Sequence, residues 1–349
     1  MAVFDLLRGD GFSLMNMTSS IQNIPYLPTY LGDKNIFTPK PVRTEMIAVE
    51  ENNGLLSIIQ TSQRGAPVTD RAMEKRTLRY FPTNRIARKA TIMASSLAFI
   101  RAFGSESEFK QVADEVISVQ TGLARGIALT KERMRLGAIR GIVLDADGTV
   151  IRNWYTEFGV TAPATIAFAI PAGTGTDTGT GAVYTNCQAV ITAMMDAAKN
   201  MWLPNTEVEA LCGATFFDKL VATNETRANY RAQLTAQATY GNISQKSTGA
   251  YATFDYAGIR FVKYRGSSDG TVAVAATEAR FYPVGADPDL FQQALSPAES
   301  FAQQGQLGQD MYSMIEVDPS GLYEFVCVHA RSYPLFMCTR PLVLQVGSA

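Results

Sequence analysis

The chain has 349 residues, with 31 Lys and Arg against 32 Asp and Glu, a net charge of −1 and a single histidine, His329. Only 18% of residues are charged, against the roughly 25% usual for soluble domains, and 46% are hydrophobic; this is enough for about two domains and a sizeable core, with a surface short of charge that contact between copies would hide. Near-neutral charge argues against tight nucleic-acid binding through a basic surface, and one histidine excludes two-histidine metal sites and leaves any Ser–His–Asp triad dependent on His329.

The first ten residues, MAVFDLLRGD, lack a basic segment followed by a continuous apolar stretch, so no secretory signal is expected. Pro25, Pro28, Pro39 and Pro41, with little periodicity between them, predict an extended arm rather than a packed element. From Met46 to Thr61 two short apolar runs flank Asn52-Asn53-Gly54, a hairpin signal. Arg76-Thr-Leu-Arg-Tyr-Phe81 then alternates without a cleanly apolar face, which suits a ribbon standing off the body. Basic residues concentrate here: Arg64 to Arg101 holds nine Lys and Arg against Asp70 and Glu74. Residues 1–140 carry 19 basic and 13 acidic side chains, net +6, and residues 141–349 carry 12 and 19, net −7. The split suggests a basic arm that docks on an acidic region of the same chain or of a neighbouring copy. The most apolar window, Ala90 to Ile100, is about half of the ~20 residues needed to span a bilayer, so no membrane segment is expected and the chain reads as made in the cytoplasm.

Ser105 and Glu108 form a capping-box pattern ahead of Phe109, Val112, Val116, Val119 and Leu123, which recur at helical steps. The helix predicted from Glu106 to about Leu136 would be a rod of roughly 45 Å, weakened in its middle by Gly122 and Gly126. Two β-rich runs around Asp147-Gly148 predict a tight hairpin whose return strand runs through Tyr155. Pro171 to Gly181 is a low-complexity loop; Asn186 to Met201 is helical; Val208 to Gly213 is a strand that leads into a helix from Ala214 to about Thr223. Strands are expected within Gly249–Tyr264 and Gly270–Tyr282, and three more from Met311 onward, separated by Asp318-Pro-Ser-Gly321 and Ser332-Tyr-Pro334. Helices and strands mix without regular β-α-β alternation, so the fold class is α+β.

One motif resembles a catalytic site. Asp145-Ala-Asp147-Gly-Thr149 after an apolar run matches the D-x-D-G-T signature of haloacid-dehalogenase-type phosphatases, in which the first Asp is the nucleophile and the second the acid/base, with Mg²⁺ neutralising the phosphate. It follows a long helix directly, lacks the family's later acidic metal-binding motif (Asp287-Pro-Asp289 has the wrong spacing) and is flanked by hairpin-like alternation, so a turn is the better reading. Gly173 to Gly181 has no Gly-Lys-Ser/Thr ending for a phosphate loop. His329 alternates with Phe325 and Cys327 as a structural strand residue. Cys187, Cys212, Cys327 and Cys338 contain no C-x-x-C pair and read as free, largely buried thiols; Cys327 and Cys338 could meet only if their segments pair.

Taken together, several ordered segments resemble the lambda-like major capsid protein E family of tailed bacteriophages. They are Gly54 to Pro67, Arg88 to Met93, Arg101-Ala-Phe-Gly104 with the following helix, Phe254 to Gly266, Phe281-Tyr-Pro-Val-Gly285, Leu295-Ser-Pro-Ala-Glu299, and Ser332-Tyr-Pro-Leu with Cys338-Thr-Arg-Pro341. Gln60 and Gln63 depart from it, standing where prolines are expected. The resemblance implies the Hong Kong 97-type coat fold. Residues 1–45 would be the N-terminal arm and 46–90 the extended loop. Residues 91–164 would be the peripheral domain with its spine helix, 165–295 the axial domain, and 296–349 the return to the peripheral domain. It implies a structural protein with no cofactor, assembled in the host cytoplasm into pentamers and hexamers of an icosahedral shell. Partners would be copies of itself, portal, scaffolding, protease and decoration proteins, and packaged double-stranded DNA held non-specifically. Arg64, Arg71, Lys75, Arg76 and Arg79 of the extended loop would contact a neighbour, and a tail-tube subunit is the structural alternative.

Overall fold

The computed structural model describes residues 30–52, 76–93, 108–168, 170, 181–227, 251–267, 270–318, 320 and 324–349. A short helix α1 (Tyr30–Asp33) and strand β1 (Thr38–Pro41) open the described chain. Tyr30, Leu31 and Phe37 are buried in the main core, so this part of the proline-rich arm is packed rather than free. The reason is long-range: apolar side chains and two buried carboxylates elsewhere in the chain hold it, and local spacing does not show them.

Strands β2 (Met46–Asn52) and β3 (Arg76–Pro82) form a two-stranded antiparallel ribbon with Met46 opposite Pro82 and Asn52 opposite Arg76. Among the described residues β2 pairs with 76–82; the run expected to form a hairpin after Asn52-Asn53-Gly54 lies outside the described residues. Strand β4 (Ile86–Met93) follows, then helix α2 (Glu108–Arg140), which runs four residues beyond the expected end. Val116, Leu123 and Ile127 are the buried stripe of α2, packed with Ile92, Val328 and Ala330 of a separate three-stranded sheet. Gly137 lies within the helix, where a side chain would meet the Val143 backbone at 2.9 Å, and the helix ends at Gly141, with φ +78°.

Strands β5 (Ile142–Leu144) and β6 (Val150–Asn153) form the Asp147-Gly148 hairpin. The return strand stops at Asn153, earlier than the alternation suggested. The Asn153 carboxamide oxygen accepts the Tyr155 N–H at 3.1 Å and so caps helix α3 (Trp154–Phe158). After β7 (Ile166–Ala167) come helix α4 (Ala182–Ala198), strand β8 (Glu207–Cys212) and helix α5 (Ala214–Ala222), close to expectation. Strands β9 (Thr253–Tyr256), β10 (Ile259–Lys263) and β11 (Glu278–Val284) follow. The strand expected from Gly270 begins only at Glu278, because the Ala275 and Ala276 carbonyls accept the Glu278 and Phe216 N–H groups at 3.0 and 2.8 Å instead of joining a ladder.

The remaining strands are β12 (Phe291–Leu295), β13 (Tyr312–Val317), β14 (Phe325–Ser332), β15 (Pro334–Cys338) and β16 (Gln345–Ser348). They complete a six-stranded sheet of order β7-β16-β11-β8-β10-β9 and two three-stranded sheets, β1-β12-β15 and β13-β14-β4. The break at Ser332-Tyr-Pro334 is where the chain leaves one of these small sheets for the other. One apolar core reaches from Tyr30 to Leu344 through α2, the six-stranded sheet, α4 and α5. Helices and strands mix in an α+β architecture whose strand order the sequence does not state.

Candidate assembly surfaces

The ribbon has two unlike faces, because residues directly opposite in an antiparallel pair point to the same side. Ile47 and Phe81 face inward and are buried. Phe81 meets the Trp154 ring edge-on at 5.4 Å and lies 5.8 Å from Phe158, and Trp154 is fully buried. Arg152 stacks over Phe81 and pairs with Glu157 at 3.1 Å. The root of the ribbon is therefore an aromatic socket built by α3. On the other face Met46, Leu78 and Tyr80 are about half exposed, an apolar stripe with no covering element among the described residues.

Of the basic residues expected to contact a neighbour, Arg64, Arg71 and Lys75 lie outside the described residues. Arg76 opens β3 opposite Asn52. Arg79 is on the inward face: its guanidinium donates to the Glu157 carbonyl and lies 5.7 Å over the Phe158 ring, inside its own subunit.

Two buried carboxylates clamp the arm. Glu132 of α2 accepts the Leu31 and Gly32 N–H groups at 2.8 and 3.1 Å. Glu209 of β8 accepts the Tyr30 hydroxyl, the Tyr282 hydroxyl at 2.7 Å and the Lys34 ammonium at 2.9 Å. Burial first, and then the Glu209 charge, push the Tyr30 and Tyr282 phenols well above their ordinary value, so both remain donors. Residues 30–34 thus tie the long helix to the six-stranded sheet. Sequence reasoning missed this clasp; its only local trace is the apolar pair Tyr30-Leu31 in a proline-rich segment. A third buried ion lies on the same helix: Lys131 pairs with Asp310 at 2.7 Å, and burial holds its ammonium below the ordinary range.

The Asp145–Thr149 segment is a turn. The Asp145 N–H donates to the Thr149 carbonyl at 2.8 Å and Gly148 adopts φ +87°. The exposed Asp147 carboxylate accepts the Thr149 N–H and hydroxyl at 2.9 and 2.7 Å, which lowers its pKa. Its lone pairs serve the turn, and no group of three or more His, Cys, Asp or Glu among the described residues is arranged for a metal ion. His329 bonds Glu316 across the β13–β14 pair at 2.9 Å, as a structural strand residue does. All four cysteines are buried free thiols, and burial pushes Cys187 and Cys338 up to about 12. Cys327 and Cys338 fall on strands of different sheets. No helix among the described residues is long and apolar enough to cross a membrane.

Comparison with known proteins adds the family. Residues 13–346 match the model of phage major capsid protein E. The major capsid protein of Salmonella phage Felix O1 is 24% identical over 359 residues, covering 95% of each chain. That of Pseudomonas phage KPP10 is 23% identical over 354 residues, covering 97% of each. Among solved structures, the mature capsid of bacteriophage PhiM1 superposes with a TM-score of 0.51 at 11% identity, over 93% of this chain and 88% of that one. The fold is that of Hong Kong 97-type coat proteins.

Proposed function

This chain belongs to the phage major capsid protein E family, which makes it a coat subunit of a tailed-phage virion, and from that premise we propose that its copies gather into pentamers and hexamers and close an icosahedral shell around double-stranded DNA. The observation that carries the reading is the family match, which spans nearly the whole chain. The ribbon gives it a physical means: an apolar stripe on a rigidly rooted two-stranded element is unstable in water and stable against a neighbour. We assign 1–45 as the arm and 46–90 as the extended loop. The peripheral domain is assigned to 91–164 with 296–349, and the axial domain to 165–295. In this scheme Arg64, Arg71, Lys75 and Arg76 meet the acid-rich part of the next subunit, with Arg79 bracing the root from within.

The chain works by repetition rather than by catalysis. Symmetry multiplies each modest contact, so shell stability comes from their number. Near-zero net charge limits adhesion to the packaged DNA while it is driven in. Maturation proceeds by hinge and rigid-body movement of the arm, the extended loop and α2. Portal, scaffolding, protease and decoration proteins are the further partners that this reading expects. The aspartates of the 145–149 turn bond within the turn itself, and neither a phosphatase nor a tail tube finds support among the relatives.

Native mass spectrometry of the purified protein at low ionic strength tests the capsomer stage. Masses of five and six subunits are expected to dominate the intermediates. Dimers or trimers as the sole intermediates would overturn the pentamer–hexamer route.

A further inference from the structure

The segment between β12 and β13, residues 296–311, has no regular secondary structure, yet its backbone is pinned. The Gln303 N–H donates to the Ser300 carbonyl at 2.9 Å, the Gly308 N–H to Val42 at 3.0 Å, and the Gln309 N–H to the Tyr312 hydroxyl at 2.7 Å. Ala298 is buried with Tyr312 and Tyr333 in a small apolar cluster of its own. Glu299 pairs with Arg85 at 3.1 Å and reaches Arg331 at 4.0 Å.

On this fixed loop Phe301 is 102% exposed, as open to water as in an extended peptide. Leu307 is half exposed. Beside them Ser300 Oγ, Gln303 Oε1, Gln309 Oε1 and Tyr333 OH are buried without a hydrogen-bond partner among the described residues; these are four of the nine such side-chain atoms, drawn from one small region. Folded proteins satisfy buried polar atoms and cover large aromatic rings. A pinned loop that leaves a whole aromatic ring and half of a leucine in water has the makeup of half an interface, with Phe301 as its anchor.

The occupant follows from where the loop is rooted. The Thr83 hydroxyl, at the exit of the ribbon, donates to Ser296 Oγ at 3.0 Å, and Ser296 Oγ donates to the Thr44 carbonyl at 2.8 Å, at its entry. The loop and the ribbon therefore leave the body at one place, and a chain that receives the ribbon also meets the loop. We propose that the 297–309 loop is a second contact between copies of this chain, with the exposed Phe301 as the anchor and Leu307 beside it. This rests on the reading of the chain as a self-assembling coat subunit.

The test compares wild type with Phe301→Ala and Phe301→Asp, measuring thermal melting of the subunit and the critical concentration for assembly by light scattering. Because Phe301 is fully exposed among the described residues, melting is expected to be unchanged. The critical concentration is expected to rise about tenfold for Ala, equivalent to about 1.4 kcal/mol, and further for Asp. Wild-type assembly together with an unchanged threshold in both variants overturns the loop contact and leaves the coat reading intact. A wild-type chain that never assembles overturns both. Assembly-neutral variants that lose a different virion protein overturn the choice of a second copy as the occupant.

Discussion

Glu132→Leu is expected to destabilise the subunit by about 3–5 kcal/mol, more than any surface change in the chain. The leucine keeps the bulk and removes both oxygens that receive the Leu31 and Gly32 N–H groups, at 2.8 and 3.1 Å. A buried N–H left without an acceptor costs about 1–3 kcal/mol. Arg135, buried one turn along α2 at 3.5 Å from Glu132, loses a counter-charge as well. Glu132→Gln retains one acceptor and is expected to cost about half as much. Urea denaturation followed by tryptophan fluorescence separates the two variants. If Glu132→Leu unfolds at the wild-type midpoint, the arm is held by the burial of Tyr30, Leu31 and Phe37 alone, and the clasp has no energetic role.

Reversing Arg71, Lys75 and Arg76 to Glu is expected to leave the subunit folded and to suppress shells. The three changes turn a basic stretch acidic beside a neighbour whose larger part carries net −7. Like charges brought together at an interface cost several kcal/mol, and each 1.4 kcal/mol is tenfold in the concentration needed to assemble. Size-exclusion chromatography should show subunits, or at most capsomers, with wild-type circular dichroism, and high salt should restore part of the assembly by screening. Shells of normal yield would remove charge from the docking mechanism and leave the apolar stripe of Met46, Leu78 and Tyr80 to hold the ribbon.

What could be read from the chain beforehand follows the range of the forces involved. The stripe of Val116 and Leu123 is a local pattern, so α2 was legible within a few residues of its start and end. The same holds for β8 running into α5, where a short apolar strand meets Gly213. Strand β6 ends short of what its alternation predicts because the Asn153 side chain turns the chain into α3, and alternation alone does not reveal a cap. The clasp joins residues 101 and 179 positions apart in sequence, and no spacing rule reaches so far. The same limit hid the partner of β2 and the packed state of residues 30–41. Arg79 shows a finer limit: it belongs to the basic stretch by composition, yet its register opposite Val49 turns it inward to Glu157 and Phe158. Family membership was legible because it depends on ordered segments along the whole chain and not on any single site.

This one chain is expected to close a shell without another protein. Electron microscopy of the purified protein after dilution into assembly buffer tests it most directly. Closed, hollow particles of icosahedral outline with pentameric and hexameric clusters on their surface are expected. Open tubes, stacked rings, or subunits that remain dispersed above the concentrations at which coat proteins assemble would contradict it.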